Sequence, residues 1–183
     1  GRSFVQPAYQ SRTMGRKSLF ALDNIWDGLG ALIIDNNHLK YLFGKVTMYP
    51  HFNLKARNMI LFFLRNYFRD PEKLVTPIEP ADIDIQEEEM KKLFRGWRFR
   101  DNYKILSKEV RNLHESIPPL INAYMNLSPT MKTFGTFINH HFGNVEETGI
   151  MITLKDIYVE KINRHLESYQ KDYEINWFAR RDQ

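Results

Sequence analysis

The chain contains no cysteine, which rules out disulfides and thiolate chemistry for these residues and suits a reducing compartment. It also lacks any apolar run close to the ~20 residues that a membrane-spanning helix requires. Excess charge is small, at a net +4 over 183 residues. That bias favours acidic partners such as phosphates, anionic lipid headgroups or an acidic carrier protein. Zinc-finger spacings, RNA-recognition aromatic motifs and internal repeats are absent too, so nucleic acid is not an expected partner. Acids are missing from the front of the chain: Arg2, Arg12, Arg16 and Lys17 all precede the first one, Asp23.

What is present reads as a folded α/β domain. Hydrophobic residues make up 43% and aromatics 14% of the chain, enough for a sizeable core. Gly1–Val5 reads as a strand and Gln6–Thr13 as a polar loop. Met14–Asn36 reads as a helix, with apolar residues at spacings of three and four. Tyr41–Thr47 is a short apolar run between polar residues, the pattern of a buried strand. Asn53–Phe68 carries a second helical stripe that ends at Asp70-Pro71. The front third is thus expected to be a parallel β-α-β-α unit.

Lys73–Asp84 reads as a connecting loop. Charge then reverses: Glu79–Glu89 holds six acids, whereas Lys91–Lys104 holds six bases and one acid, Asp101. A helix is expected from Ile85 to Arg95, stopped by Gly96. Tyr103–His114 reads as helical, and Pro118-Pro119 starts another helix running through Tyr124. Thr133–Phe142 and Glu147–Leu154 alternate as strands, with Gly143-Asn144 as the turn between them. Val159, Ile162, Leu166 and Tyr169 mark a final amphipathic helix.

Several groups of residues are suited to chemistry. Arg12-Thr13-Met14-Gly15-Arg16-Lys17 lies where a loop enters a helix, and a helix N-terminus offers unpaired N–H groups and a positive dipole end to a phosphate. Tyr49 and His51 follow the Tyr41–Thr47 strand and Tyr67 lies on the helix after it; a histidine suits removal of a proton and a tyrosine suits donation of one. Glu146-Glu147 at the hairpin reads either as a site for a substrate amine or as solvated turn carboxylates. His140-His141 has no companion ligands at metal spacing, so no metal site is expected. Lys91–Arg100 (KKLFRGWRFR) interleaves aromatics with bases. It suits a membrane interface, an acidic carrier protein, or a helix whose Met90/Leu93/Phe94/Trp97 stripe packs into the core.

Four motifs in order along the chain carry a family resemblance. They are Gly1-Arg2-Ser3-Phe4-Val5 with Pro7 and Tyr9, then Leu42-Phe43-Gly44-Lys45-Val46, then Ile117-Pro118-Pro119-Leu120-Ile121 with Tyr124, and Phe142–Gly149 leading into Ile150–Leu154. Together they resemble the acyltransferase branch of the GNAT superfamily, often labelled hemolysin-like. Its members include enzymes that N-acylate ornithine or glycine in bacterial aminolipid synthesis, taking a 3-hydroxy fatty acyl chain from acyl carrier protein. Acyl-homoserine-lactone synthases resemble the chain more distantly. A non-enzymatic membrane- or lipid-interacting hemolysin-like protein is the rival reading.

The resemblance implies a GNAT-like acyl-CoA N-acyltransferase fold, an α/β mixed sheet flanked by helices, of which this chain supplies the C-terminal portion with the N-terminal half missing. It implies one acyltransferase domain over residues 1–183. An acyl-carrier-binding β-α-β-α unit occupies 1–72, a helical insertion 73–117, and a helix, β-hairpin and helix 118–183. Catalytic candidates are Arg2, Ser3, Tyr49 and His51. Residues expected to grip the phosphopantetheine are Val5, Gln6, Arg12, Met14, Gly15, Arg16 and Lys17. Lys17 stands where the superfamily loop usually has a small residue. Asn53-Leu54-Lys55-Ala56 matches a superfamily helix start, yet Ile60 occupies the position where many members carry the tyrosine that protonates the leaving thiolate.

No permanently bound cofactor is implied, only an acyl-phosphopantetheine co-substrate carried by acyl carrier protein or CoA. The acceptor is an amino acid, glycine or ornithine. The expected location is cytoplasmic, with peripheral attachment to an anionic inner membrane face as an extension of that reading.

Overall fold

A computed structural model describes residues 21–166. Arg2, Ser3, Val5, Gln6, Arg12, Met14, Gly15, Arg16 and Lys17 lie outside the described residues, as does the Gly1–Val5 strand expectation. The described residues fall into two compact units. One holds residues 21–40 and 157–166; the other runs from Tyr41 to Asp156.

In the first unit, α1 (Ala21–Asp35) packs against α6 (Val159–Leu166). Ile33 of α1 and Ile162 of α6 are both buried. These are the Met14–Asn36 and Val159–Leu166 periodicities, and Asn36 closes α1 by donating its side-chain amide to the Leu32 carbonyl at 2.8 Å.

The second unit is built on a three-stranded sheet. Its strands are β1 (Tyr41–Met48), β2 (Lys132–Asn139) and β3 (Val145–Thr153), in spatial order β1-β3-β2. Both pairings are antiparallel: Tyr41 faces Thr153 and Met48 faces Glu146, while Asn139 faces Val145. Among the described residues the sheet has no parallel pair, because the expected parallel partner of β1 falls outside them. The hairpin joining β2 to β3 turns where expected, with Gly143 at φ +68° and Asn144 at φ +53°. Glycine and asparagine are the residues that tolerate this left-handed backbone. β2 nonetheless stops at Asn139, so His140 and His141 sit in the turn and not on a strand.

Four helices accompany the sheet: α2 (Leu54–Tyr67), α3 (Glu87–Leu93), α4 (Phe99–Asn112) and α5 (Pro119–Met125). α2 forms because Asn53 caps it, its side-chain oxygen accepting from the Lys55 and Ala56 amides at 3.0 and 3.1 Å. Met59 through Leu64 are all buried, a run longer than one helical turn, so α2 is covered on every side. One side meets the sheet face that carries Val46, Met48, Thr148, Ile150 and Ile152, all buried. Another meets α3 and α4 through aromatic rings in tilted and edge-on contact. Phe63 lies 4.6, 5.7 and 5.4 Å from Tyr67, Phe94 and Phe99, centroid to centroid.

β1 departs from the buried strand that its composition suggests. Only Val46 and Met48 are buried in it, while Tyr41 and Phe43 on the opposite face remain 55% and 63% exposed. β1 is an edge strand among the described residues, and the covered face of the sheet takes every second side chain.

The 70–86 connection runs along the outer edge of β2. The Ala81 amide donates to the Thr136 carbonyl at 2.8 Å. Pro77 lies so close to Gly135 that a Cβ there would stand 2.7 Å from the proline ring. Two of the sequence motifs also meet inside this unit, since a Cβ on Gly44 would lie 3.6 Å from the Tyr124 hydroxyl.

Burial pushes the Tyr124 hydroxyl above its ordinary pKa. The unfolded chain then releases this proton near pH ~10 while the folded chain retains it, so stability falls as pH rises past that point. Urea unfolding midpoints measured from neutral to strongly alkaline pH should decline, and Tyr124→Phe should flatten the decline.

Candidate functional site

The end of the sheet where β1 finishes and β3 begins gathers the polar side chains of the second unit. Lys45 and Glu147 lie on one face of the sheet and Glu146 on the other, as alternation along a strand requires. Glu147 is 2% exposed despite its charge. Its carboxylate accepts from Lys45 Nζ at 2.5 Å and from the Asn139 side-chain amide at 3.2 Å. Lys45 also stands 5.9 Å from the Phe137 ring centroid. Glu147 is therefore neither solvated nor spare: burying the charge is offset by its partners.

Glu146 is paired differently. One oxygen accepts from Arg57 Nη1, with both side chains largely withdrawn from water. Arg57 projects from the first turn of α2, and its guanidinium is steadied by Asn58 Oδ1, which accepts from Nε at 3.0 Å and from Nη2 at 2.8 Å. Asn58 in turn donates to the Asp84 carbonyl at 2.7 Å. The other oxygen of Glu146 is buried without a hydrogen-bond partner among the described residues. A buried carboxylate oxygen without a hydrogen bond costs about 1–3 kcal/mol, a cost that the ion pair of its neighbour oxygen with Arg57 offsets.

Tyr49 and His51 stand at this same end. Tyr49 directly follows Met48, whose register partner is Glu146. The Tyr49 and His51 rings stack at 5.7 Å with 19° between their planes. Tyr49 is 55% exposed. Just beyond them, Asn53 opens α2, its backbone amide donating to Glu115 Oε1 at 3.0 Å. Tyr49 and His51 thus stack on each other near the end of the sheet that carries Glu146, and a tyrosine and a histidine are groups able to donate and accept a proton.

Tyr49 and His51 are thus the two sequence-selected catalytic candidates that the structure describes. Lys45, Arg57 and Asn139 were not singled out in the sequence. Their signal was there in part: Lys45 lies within the Phe43-Gly44-Lys45 motif, and bases on β1 and α2 complement acids on β3. His140, in the turn, shares a hydrogen bond of 2.8 Å between its Nδ1 and Asn144 Oδ1. Among the described residues no group of three or more His, Asp or Glu gathers as metal ligands. A separate cavity of about 470 Å³ opens between α2, the 70–86 connection and β2, lined in part by Leu61, Leu64, Arg69, Phe134 and Thr148. None of Tyr49, His51, Glu146 and Glu147 lines it.

Comparison with characterised proteins gives two close matches. The chain is 54% identical over 169 residues to the glycine N(alpha)-acyltransferase of Bacteroides thetaiotaomicron, covering 92% of this chain and 50% of that protein. It is 53% identical over 173 residues to the glycine N(alpha)-acyltransferase of Phocaeicola vulgatus, covering 94% of this chain and 53% of that protein. The chain spans about half the length of the curated relatives it matches. No family model matches the sequence, and no solved structure matches it.

The Arg57–Glu146 pair joins α2 to β3 and is testable on its own. Arg57→Met strands a buried carboxylate and should cost about 2–3 kcal/mol in urea unfolding. Adding Glu146→Met should recover most of that loss, the coupling being read from a double-mutant cycle.

Proposed function

We propose that this chain is part of an N-acyltransferase that transfers a fatty acyl group, 3-hydroxylated in the aminolipid reading, from a phosphopantetheine thioester to the amine of glycine. The observation that carries this is the 54% identity, over nearly the whole chain, to a protein named glycine N(alpha)-acyltransferase. The four motifs shared in order with the aminolipid branch of the GNAT superfamily support it. Glycine is favoured over ornithine as acceptor because both relatives are named for glycine. Acyl carrier protein is the proposed donor, with CoA as the alternative carrier of the same arm.

The chemistry is direct transfer. The amine nitrogen attacks the thioester carbonyl carbon, a tetrahedral oxyanion forms, and the C–S bond breaks. The nitrogen gives up a proton and the departing thiolate takes one. His51 is the proposed base and Tyr49 the proposed acid, as the sequence suggested, and their stacking at the end of β1 puts both at one place. The second oxygen of Glu146 is the proposed acceptor for the glycine ammonium before it is deprotonated. Glu147, satisfied by Lys45 and Asn139, is less suited to that role. Arg2 and Ser3 are proposed to complete the active site, and backbone N–H groups after Val5 to polarise the thioester carbonyl. The loop of Gln6, Arg12, Met14, Gly15, Arg16 and Lys17 is proposed to hold the phosphate of the arm.

Among the described residues no helix is long and apolar enough to cross a membrane. A cytoplasmic enzyme working at the inner membrane face is the setting that this chemistry suits, since its product is an amphiphile.

The test is expression of the full-length gene in a bacterium that lacks aminolipids, with mass spectrometry of the extracted lipids. New N-acylglycine species are expected, and they should vanish in a His51→Ala variant that accumulates to the same level. N-acylornithine in their place would move the acceptor to ornithine. N-acylhomoserine lactone would point to the synthase reading, and red-cell lysis without any new N-acyl lipid would sink the enzyme reading.

A further inference from the structure

The loop between α3 and α4 presents an aromatic side chain to solvent. Met90, Leu93, Phe94 and Trp97 lie at helical spacing, and a continuous helix would bury all four. The helix ends at Leu93, however, and the stripe divides there. Met90 is buried at 4% exposure, and Phe94 packs on Phe62 and Phe63 at 5.8 and 5.7 Å. Trp97 is fully exposed.

That exposure is built in. Asn102, itself buried, grips both backbone groups of Gly96: its Oδ1 accepts from the Gly96 amide at 2.7 Å and its Nδ2 donates to the Gly96 carbonyl at 3.0 Å. The same Nδ2 donates to the Tyr67 hydroxyl at 2.5 Å. A Cβ at Gly96 would meet Asn102 Oδ1 at 2.7 Å, so the grip needs glycine. Phe94 is anchored on one side of Trp97 and Phe99 on the other, the latter 5.3 Å from Tyr67 and 5.6 Å from Phe68. The indole is therefore held outward between two fixed points.

Exposed bases flank it along the chain. Lys92, Arg95, Arg98, Arg100 and Lys104 are all exposed, and none forms an ion pair among the described residues. The acids nearby are mostly committed: Glu88 to Lys91 at 2.9 Å and Glu87 to Arg65 at 2.7 Å. Asp101 and Glu89 are the exposed acids that remain close in sequence.

We propose that Trp97, with the bases Lys92, Arg95, Arg98 and Arg100, is a docking surface for an anionic lipid bilayer. An indole that stands proud of the surface fits an interface, where aromatic rings settle at headgroup depth and bases bind acidic headgroups. An acidic carrier protein would take the same charges but would call for a recess or complementary pocket around the aromatic anchor. This surface offers a projecting ring instead. The proposal deepens the acyltransferase reading, because a fatty amide product belongs in a bilayer, but it is tested without turnover.

The test uses the full-length protein. It is sedimented with vesicles of phosphatidylglycerol mixed with phosphatidylethanolamine, and separately with vesicles of phosphatidylcholine alone. Binding to the anionic vesicles and little to the neutral ones is expected, with a blue shift of tryptophan emission on binding. Trp97→Ala should weaken anionic-vesicle binding roughly tenfold or more and abolish most of the blue shift. Arg95→Ala with Arg98→Ala should weaken it about thirtyfold, as loss of two bases near an anionic surface predicts. Both variants should fold normally and keep N-acylation of glycine from a soluble thioester unchanged. The proposal is overturned if the parent protein ignores anionic vesicles, or if both variants bind them as the parent does. It is equally overturned if the variants lose affinity for acyl carrier protein and not for vesicles. A protein that binds vesicles yet makes no N-acylglycine would leave this surface standing and remove the catalytic reading.

Discussion

Everything in the larger unit depends on the burial of α2. A surface helix shows one apolar stripe, but this one buries Met59, Ile60, Leu61, Phe62, Phe63 and Leu64 in succession. Each fully buried side chain of this kind contributes roughly 1.5–3 kcal/mol, and together they fix α2 between the sheet and the aromatic layer of α3 and α4. Its ends are then tied by polar contacts. At the C-terminal end the Thr133 amide and hydroxyl both donate to the Phe68 carbonyl, at 2.6 and 3.0 Å. At the N-terminal end Arg57 reaches Glu146.

That fixed helix supports both proposed surfaces. Its first turn delivers Arg57 to the start of β3, where the guanidinium holds one oxygen of Glu146. Its last turn delivers Tyr67 to Asn102, which grips Gly96 and turns Trp97 outward. The proposed amine site and the proposed bilayer contact thus stand at opposite ends of one rigid element.

Much of this was legible in the residues. Asn53 announced the start of α2, and Asp70-Pro71 its end. Gly143-Asn144 announced the hairpin, and the structure gives both a positive φ. Other features depend on contacts between distant segments and were not visible. β1 reads as a buried strand, yet among the described residues it is an edge with Phe43 exposed, because apolar content does not tell which face is covered. Glu146 and Glu147 read as one carboxylate pair, whereas strand alternation sends them to opposite faces with different partners. Trp97 reads as part of the Met90/Leu93/Phe94 stripe, whereas the helix ends at Leu93 and the indole is exposed.

The central claim is that the second oxygen of Glu146 receives the acceptor amine. Steady-state kinetics of the full-length protein carrying Glu146→Gln test it most directly, with glycine and the acyl thioester varied in turn. The account predicts that KM for glycine rises about tenfold or more while KM for the thioester stays unchanged, as loss of one charge-assisted contact to the acceptor requires. An unchanged KM for glycine in a folded, active Glu146→Gln protein would contradict it.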